Sequence, residues 1–429
     1  MPLPGQKMYV VTRPGLIQNV QKMYKTLAFP PIEAKFASQV CGTSPEAQAI
    51  LAKNVNGDEG DFGLSMESYH GMRSALKPES QLDDMNRVMI HEVAKSLDSL
   101  QPKESESRTI GLYGWLREAI TTATTRAVYG PMNPYDDEDI ANTFWEFESG
   151  LMQILIGFLP LVMARKPIAA HTKVAKASEA YYKAGGIDKA SSLARNRYQV
   201  EVDHNVPLER HRSLRDLLED IRKEVDACTE TSSDEGCTVK TLDITTLKEK
   251  CPLLLSSYQE VLRHRSMGTS VREVMEDTYL DQWLLKKGAM LQMPSRIIHQ
   301  DASLWGSDVE YFNPRRFLPG EKRPRDYCFR AFGGGKTLCP GRHFATNEIL
   351  AVVAVFVARL DMRPINGGEW ELPTTMNTNV AAVVMEPDND VQVEIKPRDG
   401  FENTKWVVNL HKSEKVFAMV TEDMAEEQE

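Results

Sequence analysis

Apolar residues recur every three to four positions along most of the chain, which is the spacing of helices that bury one face. The clearest such stretches are PEAQAILAKNV (45–55), LDDMNRVMIHEVAKSLDSL (82–100), GLYGWLREAITTATTRAVYG (111–130) and DEDIANTFWEFESGLMQIL (137–155). A further apolar stripe runs along SLRDLLEDIRKEVDA (213–227), where Ser213 is placed to cap the helix. The pattern predicts a mainly helical fold.

Strand-like segments are few and short. They are KMYVVT (7–12), SVREVM (270–275), GAMLQMP (288–294) and VQVEIKP (391–397). Charged residues and turn formers mark ETSSDEGCTVK (230–240) and FLPGEKRPRDY (317–327) as loops. Because no linker divides the chain, we expect one large domain over residues 1–398, mainly α with a small β-sheet. Residues 399–429 form a C-terminal extension whose acidic end is expected to fray.

Composition excludes several classes of protein. A hydrophobic content of 41% in 429 residues is ample for a large core. The formal net charge of −10 and the lack of a long basic run argue against a nucleic-acid-binding surface. The six cysteines include no C-x-x-C pair, so a disulfide scaffold is not expected and a reducing compartment is favoured.

The chain begins MPLPGQKMYVVTRPGL, which has no apolar segment of the kind found in signal peptides. The longest apolar run, GLMQILIGFLPLVMA (150–164), is shorter than the ~17–25 residues that span a bilayer, and Gln153 and Pro160 interrupt it. Two interpretations stay open: a buried helix, or a patch that contacts a membrane surface peripherally.

One cysteine stands in a flexible and electropositive turn, AFGGGKTLCPGRHFA (331–345). The glycines at 333–335 allow positive φ angles and the close approach of a bulky planar group. Backbone N–H groups of the turn, with Lys336 and Arg342 nearby, favour a thiolate at Cys339. The apolar pattern from Arg342 onward predicts a helix whose N-terminal dipole adds to this effect.

Such a thiolate is either a nucleophile or a metal ligand, and an inert buried cysteine before a helix is the remaining alternative. A nucleophile needs a general base nearby, but His343 is expected to point away from the turn because it lies four residues on, in the helix. A single thiolate on iron needs no base. The sequence therefore favours Cys339 as a metal ligand.

The same turn resembles the heme-binding signature of the cytochrome P-450 superfamily, F-x-x-G-x-x-x-C-x-G. Phe332, Gly335, Cys339 and Gly341 fill every fixed position. The resemblance implies the cytochrome P-450 fold and a heme b cofactor (iron protoporphyrin IX) bound by these residues, with Cys339 as the thiolate ligand of the iron. It extends in order from MYVVTRPGLIQNVQK near the start to VMEPDNDVQVEIKPR near the end.

Two further motifs lie where this family has them. SSYQEVLRHRS contains Glu260-x-x-Arg263, and EYFNPRRFLPG contains F-x-P-x-R-F with Arg316. The resemblance implies a buried structural triad, in which the Glu260 carboxylate is held between the Arg263 and Arg316 guanidiniums. Arg272, in SVREV, stands where family members often bind a heme propionate; the alternative is a solvated charge at a strand edge.

The chain most resembles fungal microsomal members of the family and, more distantly, sterol 7α-hydroxylases and prostacyclin synthases. This implies a monooxygenase that inserts one oxygen atom from dioxygen into a small apolar substrate, such as a lipid, a sterol or a secondary metabolite. Its electrons would come from an NADPH-dependent P-450 reductase. The resemblance implies the endoplasmic reticulum membrane, but no N-terminal anchor is visible, so a cytoplasmic or peripheral location is the alternative.

The family's long distal helix, with its acid–threonine pair for oxygen activation, has no counterpart in the sequence. It is expected upstream of Glu260, but only Arg210 to Arg212 separate DHNVPLE from SLRDLLEDIRKEV. The threonines of Arg117–Thr125 lie too early and lack a preceding acid. We therefore assign no catalytic residue and expect impaired monooxygenase activity. The alternatives are a heme-thiolate isomerase or synthase acting on an oxygenated lipid, and a non-catalytic heme binder or truncated gene product.

Overall fold

A computed structural model describes residues 2–3, 6–40, 45–55, 63–100, 107–151, 154, 165–197, 214–234, 237–321, 324–365, 370, 373–379, 383–399, 401 and 404–410. Its α-helices are α1 (Pro14–Lys22), α2 (Pro30–Val40), α3 (Pro45–Ala52), α4 (Leu64–Ala75), α5 (Ser80–Leu100), α6 (Leu112–Tyr129), α7 (Glu138–Ser149), α8 (Arg165–Lys183), α9 (Ser192–Arg197), α10 (Leu214–Ala227), α11 (Leu247–Lys250), α12 (Pro252–Arg265), α13 (Ser295–His299), α14 (Ala302–Trp305) and α15 (Arg342–Arg359). Its strands are β1 (Pro2–Leu3), β2 (Gln6–Val10), β3 (Leu27–Ala28), β4 (Arg108–Gly111), β5 (Thr229–Asp234), β6 (Cys237–Asp243), β7 (Thr269–Val274), β8 (Thr278–Leu280), β9 (Trp283–Leu285), β10 (Met290–Pro294), β11 (Leu360–Pro364), β12 (Gln392–Pro397) and β13 (Thr404–Asn409).

The helices predicted from apolar spacing form as α3, α5, α6, α7 and α10. Helix α7 is shorter than predicted and ends before Gly150. A Cβ atom at Gly150 would lie 1.9 Å from Pro167 of α8, so the glycine permits close packing of the two helices. The cap residue Ser213 and most of 150–164 lie outside the described residues. Within the described part of the chain, no helix combines the length and apolarity needed to cross a membrane.

Strand β7 occupies an inner position in a five-stranded sheet of order β1-β2-β10-β7-β3. Three of the four predicted strand segments meet in this sheet. Strand β10 runs parallel to β2 and antiparallel to β7, with Leu291 opposite Arg272. The fourth predicted strand, β12, lies between β11 and β4 in a separate sheet. The strands are thus distributed over several small sheets, not one.

The segment 230–240, predicted as a loop, instead forms most of a β-hairpin. Strand β5 pairs antiparallel with β6, from Thr229 opposite Leu242 to Asp234 opposite Cys237. Both strands contain β-branched residues, which favour extended backbone. Strand β13 adds to β6 in parallel, so part of the predicted C-terminal extension joins this sheet. The boundary at residue 398 stays a prediction, and 411–429 lie outside the described residues.

The main hydrophobic core surrounds α15, which packs against α5, α10 and α12. Helix α15 is apolar on nearly all sides, as expected of a helix in a protein interior. Phe344, Leu350 and Val357, predicted to face the core, are buried, and Val353 is half-buried. Because α15 begins three residues after Cys339, the core fixes the end of the cysteine turn.

An ion cluster of Glu260, Arg263 and Arg316 lies in the interior. Glu260 and Arg263 are one helical turn apart on α12, and both are 0% exposed. Arg263 Nε donates to Glu260 Oε2 (2.8 Å), and its Nη2 donates to Oε1 (2.9 Å). Arg316 Nε lies 3.1 Å from both oxygens of the same carboxylate, and its Nη2 lies 3.0 Å from Asp308 Oδ2. The shared carboxylate offsets the cost of removing two guanidiniums from water.

His299 connects this ion cluster to the cysteine turn. Arg263 Nη1 donates to the His299 carbonyl (2.7 Å), and His299 Nε2 accepts the Arg330 N–H (2.8 Å). Burial, followed by the positive charges of Arg263 and Arg330, lowers the pKa of His299 from 6.5 to about 3. The imidazole is therefore neutral at physiological pH. This is required, because Nε2 can accept the Arg330 N–H only when it carries no proton.

We expect Glu260→Gln to lower the free energy of unfolding by about 3–5 kcal/mol, because two buried guanidiniums lose the negative charge they share. Urea unfolding would measure this change. The control is Glu394→Gln, which breaks a surface ion pair with Arg363 and should leave the unfolding midpoint nearly unchanged. Equal effects of the two substitutions would contradict the structural role of Glu260.

Candidate cofactor site at Cys339

The segment from Arg330 to Cys339 is a tight turn. The Cys339 N–H donates to the Phe332 carbonyl at 2.9 Å, which closes the turn on itself. Gly333 and Gly335 have φ angles of +87° and +62°, in the left-handed region that favours glycine. The backbone path of the turn thus accounts for Gly335, a fixed position of the signature, and for Gly333, which stands at a variable position.

Cys339 forms no disulfide and is half-buried. A Cβ atom added at Gly341, which caps α15, would lie 3.9 Å from Cys339 Sγ, an ordinary contact distance. The two basic residues of the turn have defined contacts. Arg342 Nη1 donates to the Cys339 carbonyl (3.1 Å), and Lys336 Nζ lies 5.8 Å from the centroid of the Tyr24 ring.

Tyr69, on α4, holds the turn from another side. Its hydroxyl oxygen lies 3.1 Å from the Leu338 carbonyl oxygen and 3.2 Å from that of Lys336, so its single proton is shared between them. Burial is the main cause that raises the pKa of Tyr69, which keeps the phenol protonated and able to donate. Sequence reasoning missed this residue, because it lies 267 positions from Lys336 and no local pattern marks it.

Arg272 and Arg330 place two buried guanidiniums against the turn. Ser270 and Arg272 point to the same side of β7, because alternate residues of a strand share a face. Arg272 Nη2 donates to Thr337 Oγ1 (2.6 Å), and Arg330 Nη2 donates to Ser270 Oγ (3.0 Å). The two arginines are only 3% and 2% exposed. Arg272 was a candidate from the sequence, whereas Arg330 was missed because its burial depends on the distant strand.

Within the part of the chain that the structure describes, no carboxylate forms an ion pair with Arg272. Burial, followed by repulsion from Arg330, lowers the pKa of Arg272 to about 10, so the group is still cationic at neutral pH. A buried cation without a counter-charge is unfavourable. A carboxylate bound here would be stabilised, and the propionates of a heme are carboxylates.

Among the residues that the structure describes, no group of three or more His, Cys, Asp or Glu side chains is close enough to hold a metal ion. Few further protein ligands for a metal ion at Cys339 are thus present among these residues. A porphyrin supplies ligands through its ring nitrogens, and its carboxylates suit Arg272 and Arg330. The residues present thus fit a heme.

The threonines of Arg117–Thr125 take part in helix packing. Thr124 donates to Glu348 of α15, and two other threonines donate to carbonyls of their own helix. Burial raises the pKa of Glu348 to about 7. This pairing of threonine with a buried acid was not anticipated, because the two residues lie on different helices. Residues 203–213, where the distal helix was sought, lie outside the described residues.

Two comparisons of sequence bear on this site. A profile of the family "Cytochrome P450" matches residues 215–393, which contain the ion cluster, β7 and the cysteine turn. The cytochrome P450 monooxygenase nodJ of Hypoxylon pulicicidum is 30% identical over 457 aligned residues, covering 97% of this chain and 86% of that protein. A cytochrome P450 monooxygenase of Gibberella zeae is 25% identical, covering 95% of this chain and 83% of that protein.

A solved structure, retinoic acid bound cyanobacterial CYP120A1, matches with a TM-score of 0.62 at 18% sequence identity. The match covers 91% of this chain and 88% of that one. It confirms the predicted fold class, mainly α with small β-sheets. From this fold, from a turn that fits a heme and from the similarity to nodJ over nearly the whole chain, it follows that the chain belongs to the cytochrome P450 family of heme-thiolate oxidoreductases, which incorporate molecular oxygen.

Proposed function

We propose that the chain is a heme-thiolate monooxygenase in which Cys339 is the proximal ligand of the iron. The observation that carries this proposal is the half-buried Cys339 side chain in a glycine turn beside the buried Arg272 and Arg330 guanidiniums. When bound, the heme supplies the chemistry that inserts one oxygen atom of dioxygen into a C–H bond. The protein binds, orients and shields that group.

The residues around the turn divide this work. Arg272 and Arg330 bind the heme propionates, and Thr337 orients Arg272 through the 2.6 Å hydrogen bond to its guanidinium. The Phe332 carbonyl fixes the Cys339 amide, so the sulfur is presented at the end of a rigid turn. Gly335 lets the backbone pass close to Gln21, whose Cγ atom would lie 3.1 Å from an added Cβ.

Glu260, Arg263 and Arg316 are structural in this proposal. They lie within the interior and bond to one another and to main-chain carbonyls. Through the His299 carbonyl and ring, Arg263 helps to position Arg330. Loss of the triad would therefore weaken heme binding indirectly.

The proposed substrate is a small apolar molecule such as a lipid, a sterol or a secondary metabolite. Support comes from the full-length similarity to fungal monooxygenases of this family. The proposed electron donor is an NADPH-dependent P-450 reductase, the usual partner of such enzymes. We place the protein at the endoplasmic reticulum membrane, with residues 150–164 as a peripheral contact.

The chain is short where the family's distal helix belongs. Only residues 198–213 separate α9 from α10, and even fully helical they would span about 24 Å. The alignment with nodJ runs over 457 residues although this chain has 429, so gaps in this chain fall inside the aligned region. Without a distal helix, the distal face of a bound heme would be less shielded from solvent.

The short segment also supports a second candidate function, an isomerase or synthase of oxygenated lipids, since such chemistry needs no acid–threonine relay.

Cys339→Ser should abolish the thiolate-type absorption band of the reduced, carbon monoxide-treated protein, because a serine oxygen cannot replace the thiolate. Cys328→Ser is the matched control: it removes another buried cysteine and should leave the band in place. Retention of the band in Cys339→Ser would overturn the ligand assignment. An unaltered chain that takes up no heme at all would overturn the proposed function.

With NADPH and a reductase, the 429-residue chain should release more hydrogen peroxide than hydroxylated product. Without a distal helix, water reaches the metal and no relay residue delivers protons in a controlled way. Peroxide and product would be quantified against the NADPH consumed. Tight coupling of NADPH to product would show that another segment has taken over the role of the helix. Turnover of a lipid peroxide without NADPH would instead favour the isomerase or synthase.

A further inference from the structure

Two buried cysteines meet where α10 ends and α12 begins. Cys228 follows the last residue of α10, and Cys251 immediately precedes α12. Their Sγ atoms lie 3.5 Å apart, and the residues are 5% and 0% exposed. A disulfide bond is about 2.05 Å long, so the sulfurs need to approach by about 1.5 Å.

The two thiols differ in acidity. The hydrogen bond from Cys251, with help from the Thr246 hydroxyl and the Lys250 charge, lowers the pKa of Cys228 to about 6. The same sulfur–sulfur contact, followed by burial and the negative charge of Glu224, raises the pKa of Cys251. One sulfur is thus prepared to react as a thiolate while the other keeps its proton. This asymmetry is typical of a nucleophilic and a resolving cysteine.

We propose that Cys228 and Cys251 form a peroxide-sensitive dithiol that closes to an intramolecular disulfide. The Cys228 thiolate attacks one oxygen of hydrogen peroxide, the O–O bond breaks, and the departing hydroxide takes a proton to become water. The Cys251 sulfur then attacks the resulting sulfenic acid, the S–O bond breaks, and a second water leaves with the thiol proton. Two thiols lose two electrons and two protons in total, and peroxide becomes two waters.

The burial of both sulfur atoms favours reaction with a small oxidant. Because both sulfurs are almost fully buried, a bulky disulfide such as oxidised glutathione cannot reach them, whereas peroxide is little larger than water. Once formed, the bond lies inside the protein and opens only when a reductant gains access. The site is separate from Cys339 and does not depend on the proposed monooxygenase function.

The cross-link would join the end of α10 to the start of α12, which hydrogen bonds already connect. The Glu224 carboxylate of α10 accepts the Leu253 and Leu254 N–H groups at the start of α12, at 2.9–3.0 Å. Helix α12 carries Glu260 and Arg263, so a covalent tie at its first turn also restrains the ion cluster. For a closed loop of this length, we expect the unfolding midpoint to rise by about 3 °C.

The test uses the full chain as isolated, treated with a small molar excess of hydrogen peroxide, unfolded and alkylated with iodoacetamide. Peptide mass spectrometry should find the Cys228 and Cys251 peptides joined, with the mass of two hydrogens lost, and dithiothreitol should separate them. Thermal unfolding of the oxidised protein should show the higher midpoint. The proposal is overturned if both cysteines are alkylated as fully as in untreated protein, or if Cys228 is converted to sulfinic acid without a cross-link.

Serine variants distinguish specific oxidation of the Cys228–Cys251 pair from unspecific oxidation of the protein's cysteines. Cys328→Ser, which removes a cysteine of similar burial, should form the cross-link as readily as the unaltered chain. In Cys251→Ser, Cys228 should accumulate as a sulfenic acid that dimedone traps. In Cys228→Ser, Cys251 should stay unreactive until the chain is unfolded. Equal dimedone labelling of Cys251 and Cys228 in the two variants would contradict the assigned roles.

Discussion

Burial of positive charge is the constraint on which the rest of this structure depends. Arg263 and Arg316 satisfy it internally, because both bond the Glu260 carboxylate in the interior of the protein. Among the residues that the structure describes, Arg272 has no such partner, and its hydrogen bonds go to a neutral hydroxyl and a carbonyl. Arg330 lies close enough to Arg272 to lower its pKa. A carboxylate bound beside these guanidiniums would reduce the cost of burying them, and a heme brings two carboxylates.

The same charges explain how the cysteine turn is held. The N–H group of its first residue, Arg330, donates to the His299 ring, which burial, followed by the charges of the nearby arginines, keeps neutral by lowering its pKa. At its far end, α15 is embedded in the core, and Tyr69 bonds the carbonyl just before Cys339. The turn is therefore fixed from three elements, two of which, α13 and α4, are distant from it in sequence. A ligand sulfur held in this way loses little conformational freedom when it binds a metal.

Local patterns in the sequence were enough to predict α3, α5, α6, α7, α10 and α15, four strand segments and the cysteine turn. The signature needs only backbone geometry and one thiol within a few residues, so sequence spacing describes it well. Tyr69, Arg330 and the Cys228–Cys251 pair could not be found that way, because each acquires its role from a partner brought near by folding. The loop prediction for 230–240 was wrong because the turn formers of this segment were given more weight than its β-branched residues. Sequence spacing predicts the secondary structure of one segment, whereas long-range packing determines which residues of other segments it contacts.

The measurement that tests this account most directly compares the affinity of the protein for heme with its affinity for heme dimethyl ester, which lacks the carboxylate charges. The unaltered protein should bind heme about tenfold or more tightly than the ester, as expected for charge-assisted hydrogen bonds. Arg272→Gln and Arg330→Gln should each reduce that preference. Arg398→Gln, which removes a partly buried arginine bonded to Asp226 elsewhere in the fold, should preserve it. If all four proteins preferred heme over its ester by the same factor, the proposal that Arg272 and Arg330 bind the propionates would be contradicted.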